Sequence, residues 1–171
     1  MEQHTTVEQS FLEMYDQLAD GIYRHCFFRV NSKELAEDLT QDTFTKAWNY
    51  LLKGKAIDNP KAFLHHIAGN LVIDYYRKKK ELSLDALAED GYDPKGDGAE
   101  DILEDSAAKQ AIASLQQLDV EYREALTLRF VNDLSIGEIA ETMALSENVV
   151  SVRIHRGVQK LKKILHYEKP D

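Results

Sequence analysis

An all-α fold, two small helical bundles joined by an acidic flexible linker, is what this chain predicts, and three observations predict it. Apolar residues recur at helical spacing in every ordered-looking stretch, and none alternates as a strand does. The net charge of -9 sits in one window: residues 81–108 hold ten acids and one base, together with Gly91, Pro94, Gly96 and Gly98. Dense like charge among turn residues has little to bury. Finally, 171 residues suffice for one ordinary domain or two small ones. The expected division is a first bundle over residues 1–80, a linker over 81–106 and a second bundle over 107–171, which contains a helix-turn-helix.

The elements follow in order. Phe11, Leu18, Ile22 and Cys26 mark one face of a first helix over residues 7–30, and Thr5-Thr6-Val7-Glu8 reads as a capping box at its start. A second helix, 33–53, places Leu35, Leu39, Ala47 and Leu51 together and stops at Gly54, which accepts the left-handed conformation of a helix end. Pro60 suits the first turn of a third helix, because its φ is preset and its missing amide costs nothing there. Phe63, Leu64, Ile67, Leu71 and Tyr75 mark the expected buried face, ahead of Arg77-Lys78-Lys79-Lys80. Beyond the linker, residues 102–117 and 120–131 read as two helices with Asp119 as a cap between them. Ser135-Ile136-Gly137-Glu138 is a capping box for a short helix ending near Met143, and Ser146 caps a longer one carrying Val150, Ile154, Val158, Leu161 and Leu165.

Residues 134–163 therefore fit a helix-turn-helix, with Leu145 plugging the turn and small Ala140 letting the helices cross closely. The longer helix turns Ser151, His155, Arg156 and Gln159 away from its apolar side, and these can donate to bases and phosphates. A helical hairpin with a solvated basic face is the plainer reading. The third helix combines Lys61 and Arg77 to Lys80 with Tyr75 and Tyr76 against the single acid Asp74. Cations for phosphates and π-faces for unstacked bases suit a single strand or a melted duplex. A solvated helix end complementing the helix dipole is the alternative. On the acidic second helix, Gln41, Phe44 and Trp48 form either a partner face or, for Trp48, part of the core.

Several classes are disfavoured. There is no glycine-rich phosphate loop, no metal-spaced His pair and no nucleophile beside a base, so neither catalysis nor a cofactor or metal is expected; His65 and His66 point to different helix faces. The one cysteine, Cys26, excludes a disulfide framework or multi-cysteine zinc site and reads as a buried small hydrophobe in a reducing compartment. No apolar run reaches the roughly 20 residues of a membrane helix, and the first ten residues are unlike a signal peptide. A cytoplasmic protein with no direct membrane contact is expected.

Taken in order, ELAEDLTQDTFTKAWNYL (34–51), AFLHHIAGNLVIDYYRKKK (62–80), YREALTLRF (122–130) and DLSIGEIAETMALSENVVSVRIHRGVQKLKK (133–163) resemble a bacterial RNA polymerase sigma factor of the extracytoplasmic-function (ECF) type, the form with regions two and four only. These segments span about 80 residues on both sides of the linker. The resemblance implies that the second helix docks on the β′ clamp helices of RNA polymerase core through Glu37, Asp38, Gln41 and Asp42, with the β flap as a further core contact. It implies that the third helix and the loop 55–59 open the minus-ten promoter element and hold a flipped base, with Asn70, Tyr75, Arg77 and Lys78 in contact. Ser151, Val152, His155 and Arg156 then read the minus-thirty-five element, the acidic linker lies in the RNA-exit path, and an anti-sigma factor is the expected regulator. Ser151, Glu147 and His66 depart from the family pattern, which bears on which promoter bases are read. A stand-alone operator-binding dimer and a non-DNA interaction module are the competing readings.

Overall fold

The computed structural model describes residues 2–87 and 106–165, with side chains over 6–84 and 106–165. These residues form seven α-helices and one π-helical turn: α1 Glu2–Val30, α2 Lys33–Leu52, α3 Pro60–Leu87, α4 Ser106–Gln116, α5 Val120–Leu126, the π turn Thr127–Val131, α6 Ile136–Met143 and α7 Glu147–Ile164. No strand occurs among them. Most of the expected linker, 88–105, lies outside the described residues, as do 102–105 of the fourth expected helix.

Helices α1, α2 and α3 surround a core of Ile22, Cys26, Phe27, Ala36, Leu39, Phe44, Ala47, Leu64, Ala68 and Val72. Ala36 and Ala47, both fully buried, leave room for α1 to lie close on α2. The buried hydroxyls of Thr40 and Thr43 donate to the carbonyls of Ala36 and Leu39, which removes the cost of burying them. Ser32 caps α2 by accepting from the Leu35 amide, and Gly54 follows its end at φ +74°.

Three boundaries differ from expectation. Helix α1 already runs at Glu2, so the Thr5–Glu8 motif lies inside it; Glu2 and Gln3 are good helix formers and nothing breaks the run. Helix α3 continues to Leu87, seven residues into the acidic window, because the strong breakers there begin only at Gly91. The expected 120–131 helix changes to a π turn at Thr127. Asp119 makes no side-chain cap; its backbone carbonyl accepts from the amides of Tyr122 and Arg123 instead.

The deepest line of α3 is Leu64, Ala68 and Val72, while Phe63, Ile67, Leu71 and Tyr75 are only half-buried. The helix is rotated from the expected face because it is covered on two sides, by the first bundle and by the second. In the second bundle, Leu128, Leu134, Ile139, Ala140 and Val150 form one core and Leu115, Leu118 and Leu126 another. Arg123 closes the end of α4 by donating to the carbonyls of Leu115, Gln116 and Leu118 at 2.8–2.9 Å. The Ser135 capping box is complete, Ala144 turns the chain at φ +54°, and Ser146 accepts from the Val149 amide. Gly157 admits Leu126, which a Cβ would meet at 3.2 Å, so α5 and α7 approach closely there.

Candidate functional site

Helix α7 presents one continuous polar face. Ser151 and His155 lie one turn apart, as do Val152 and Arg156, and all four are exposed. The opposite side anchors the helix: Val150 is fully buried, and Ile154, Val158 and Leu161 pack on the two clusters of the second bundle. Arg153 is drawn to Glu121 at 3.5 Å and Lys160 to Asp119 at 3.7 Å, so these two cations brace α7 on α5.

Helix α3 is more entangled. Asn70, Arg77 and Lys78 are exposed, and Tyr75 is half-buried with the Lys79 ammonium 6.0 Å from its ring centroid. Arg77 pairs with Asp74 at 3.3 Å. The neighbouring Tyr76 turns inward, its hydroxyl donating to the Arg29 carbonyl at 2.6 Å. His65 and His66 diverge as expected: His65 is buried, whereas His66 is exposed and faces α6.

The acidic residues of α2 are where the sequence put them. Glu37, Asp38, Gln41 and Asp42 are all exposed along one side of the helix. Phe44 is a correction: it is 3% exposed and belongs to the core, meeting Phe11 and Tyr15 edge-on. Trp48 is half-buried against Phe11, with ring centroids 5.1 Å apart. Beside them lies an open groove of roughly 620 Å³ lined by Phe11, Leu12, Tyr15, Gln41 and Trp48. Cys26 is fully buried, and burial pushes its thiol up to about 12, which makes it inert at neutral pH.

Sequence reasoning missed the seam between the two bundles. Ile112 of α4 enters the first core, and Phe28 of α1 packs against the second. Gln116 Nε2 donates to the Arg29 carbonyl at 2.8 Å, satisfying a group left open at the end of α1. Asn132 Nδ2 donates to the Gly21 carbonyl at 2.8 Å, and His25 Nδ1 donates to Asn132 Oδ1 at 3.2 Å. Arg29, fully buried, lies 3.8 Å from Glu124, and its guanidinium nitrogens make no hydrogen bond among the described residues. Burial pulls the Arg29 pKa down, and Glu124 opposes that shift. The Glu124 carboxylate lies against Gly69, so a Cβ at that position would require the carboxylate to shift. One signal was readable in advance: Arg29 continues the apolar stripe Ile22, Cys26 at helical spacing, where a charge demands a partner.

Residues 14–81 match the Sigma-70 region 2 family and residues 108–161 match Sigma-70, region 4. The chain belongs to the ECF class of RNA polymerase sigma factors, subunits that direct polymerase core to promoters. It is 31% identical to the RNA polymerase sigma factor SigZ of Bacillus subtilis, over 90% of this chain and 85% of SigZ. It is 29% identical to the ECF RNA polymerase sigma factor BldN of Streptomyces coelicolor, over 91% of this chain but only 60% of BldN. In three dimensions it is similar to the sigma factor RpoE of Bartonella quintana, solved with the anti-sigma factor NepR, at a TM-score of 0.73 and 21% identity over 94% of this chain and 99% of that one. The family is one of transcription regulators, and no described helix is long and apolar enough to cross a membrane.

Proposed function

We propose that the chain is a dissociable promoter-specificity subunit whose three exposed faces divide the work of initiation. Residues 1–80 bind core polymerase and the minus-ten element, 81–106 connect, and 107–171 bind the minus-thirty-five element. Glu37, Asp38, Gln41 and Asp42 of α2 contact the β′ clamp helices. An acidic face is unsuited to DNA and well suited to a basic protein partner.

The loop 55–59 and α3 take the non-template strand of the minus-ten element. Asn70 offers a donor and an acceptor to a base edge, Tyr75 offers a π-face, and Arg77 and Lys78 offer charge to phosphates. Extruding a base costs a few kcal/mol of stacking, which a pocket and phosphate contacts offset. Melting is thus driven by capture, without ATP hydrolysis or any other catalysis by this chain. On α7, Ser151, Val152, His155 and Arg156 enter the major groove at the minus-thirty-five element. The protein works in the cytoplasm, and an anti-sigma factor of the kind named in the RpoE structure is its regulator.

The observation that carries this reading is the exposure of the α7 face on a capped helix-turn-helix, in the same chain as the exposed acidic face of α2. Run-off transcription with purified bacterial core on promoter fragments from the source genome tests it. Discrete transcripts that require the protein support the reading. No transcript and no co-migration with core overturn it in favour of an operator-binding regulator.

A further inference from the structure

The face of α7 carries two side chains that the helix itself gives no reason to expose. Val149 is 40% and Val152 46% exposed, whereas Val150 between them is fully buried. A β-branched residue at a solvated helix position gains nothing from packing and is a weaker helix former than Lys, Glu or Gln. The two valines are the third and sixth residues of α7 and lie one turn apart. With Asn148 and Arg156 they line a concavity of roughly 360 Å³ that Glu121 and Tyr122 of α5 bound on the other side. The other cations beside it are engaged: Arg153 is drawn to Glu121 at 3.5 Å, and Lys160 lies 3.7 Å from Asp119 and 5.2 Å from the Tyr122 ring centroid. Arg156 is exposed and makes no ion pair among the described residues, so its guanidinium stands available one turn beyond Val152.

We infer that Val149 and Val152 are a methyl-reading pair: at the minus-thirty-five element they pack on the C5-methyl groups of thymines, so the bound sequence carries thymine where they meet it. This rests on the reading of α7 as the helix that enters the major groove there. In that groove the base edges present donors, acceptors and one apolar group, the thymine methyl, so an exposed aliphatic side chain has one base to prefer. The N-terminal turns of a recognition helix are the part that reaches base edges, and the pair sits in them. The planar fork of Arg156 matches guanine O6 and N7. At 1.5 Å of rise per residue Val152 and Arg156 are about 6 Å apart along the helix, so the two contacts fall within about two base-pair steps. An aliphatic pair carries no charge and makes no hydrogen bond, so it adds selectivity without adding to the sequence-independent attraction for phosphates. The cations Arg153, Arg156 and Lys160 on the same helix favour DNA over a protein partner for this patch.

The test uses the full chain with purified bacterial core polymerase and a duplex library randomised over about forty base pairs, long enough for both promoter elements; the bound fraction is sequenced. Wild type enriches thymine at one or two positions of the upstream element. The selected duplex is then remade with deoxyuridine at those positions, which removes only the methyl groups. Each methyl removed weakens wild-type binding about fourfold, the equivalent of one buried methyl group. Val149→Ser with Val152→Ser alters two exposed positions and leaves the buried side of α7 intact. That variant binds the thymine and deoxyuridine duplexes within about twofold of each other, whereas Val152→Ile, which keeps the aliphatic contact, retains the penalty. An upstream element without thymine, no penalty for deoxyuridine, or an equal penalty in wild type and the serine variant overturns methyl reading and leaves α7 as the reading helix. Loss of core binding by the serine variant overturns it in favour of a protein contact. No enriched upstream element overturns the inference, and with it the α7 reading if Arg156→Ala also binds as wild type does.

Discussion

Helices α3 and α7 both carry proposed DNA-reading faces, yet they meet the rest of the molecule in opposite ways. Helix α7 buries Val150 and half-buries Ile154 and Val158 in its own bundle, and leaves Ser151, Val152, His155 and Arg156 in solvent. Helix α3 buries Leu64, Ala68 and Val72 in the first bundle while His66, Gly69 and Lys61 face the second. A helix with one partner keeps a free face; a helix shared by two bundles has a face that is free only when they separate. The second bundle thus lies against the start of α3, while the α7 face stays in solvent.

The largest way to break that contrast is from beneath α3. Leu64→Ala empties a fully buried site in the first core and costs about 2–5 kcal/mol. Trp48, the only tryptophan, lies in that bundle and reports its urea unfolding by fluorescence. An unchanged midpoint refutes the assignment of Leu64, Ala68 and Val72 as the helix's anchoring line.

Next in size is Arg156→Ala, which removes a donor from the free face of α7. Binding of a minus-thirty-five duplex weakens by about 1–3 kcal/mol if Arg156 reads a base, with the radius of gyration unchanged. A change in the radius would show that α7 is tied to the packing of the two bundles after all. Smaller again is Asp38→Ala, which weakens binding to core polymerase severalfold in a salt-dependent way and leaves oligonucleotide binding alone. Equal core affinity for Asp38→Ala and wild type at low salt would remove Asp38 from the contact.

What was legible in the sequence follows the range of the signal. The Ser135 capping box, the Ser146 cap of α7 and Pro60 are local devices, and each element begins where they place it. The exposed residues of α2 and α7 were readable because an amphipathic helix with one buried side advertises its other side. Helix α3 misled for the converse reason: with two buried sides, its apolar residues mark neither cleanly. The π turn and the seam were not readable. Asn132 lies 107 residues from His25 and Glu141 lies 82 from Asn59, and no periodicity connects polar groups at such separations. Only Arg29, a charge within the apolar stripe of α1, pointed to the seam, and it could not name Glu124.

The smallest expected effect sharpens the contrast through pH. His25 is fully buried in α1, facing Arg29 on its own helix, His65 of α3 at 5.5 Å between ring centroids, and Asn132 after the π turn. Burial first, then Arg29 and His65, hold its imidazole well below the ordinary range, against a smaller opposing pull from the Asn132 bond. Burial shifts His65 in the same direction. The packed seam therefore keeps both rings neutral, while a ring released to water takes up a proton near its usual pKa of about 6.5. Stability of the packed seam is therefore full above about 6.5 and declines as pH falls below it, toward the depressed values of the buried rings. Lowering pH from about 7.5 to 5.5 should thus expand the molecule in X-ray scattering and expose Lys61 and His66, with the α7 face as free at one pH as at the other. His25→Gln should flatten the dependence, with the remainder carried by His65. A wild-type radius that does not move over this range would separate both histidines from the packing of the two bundles.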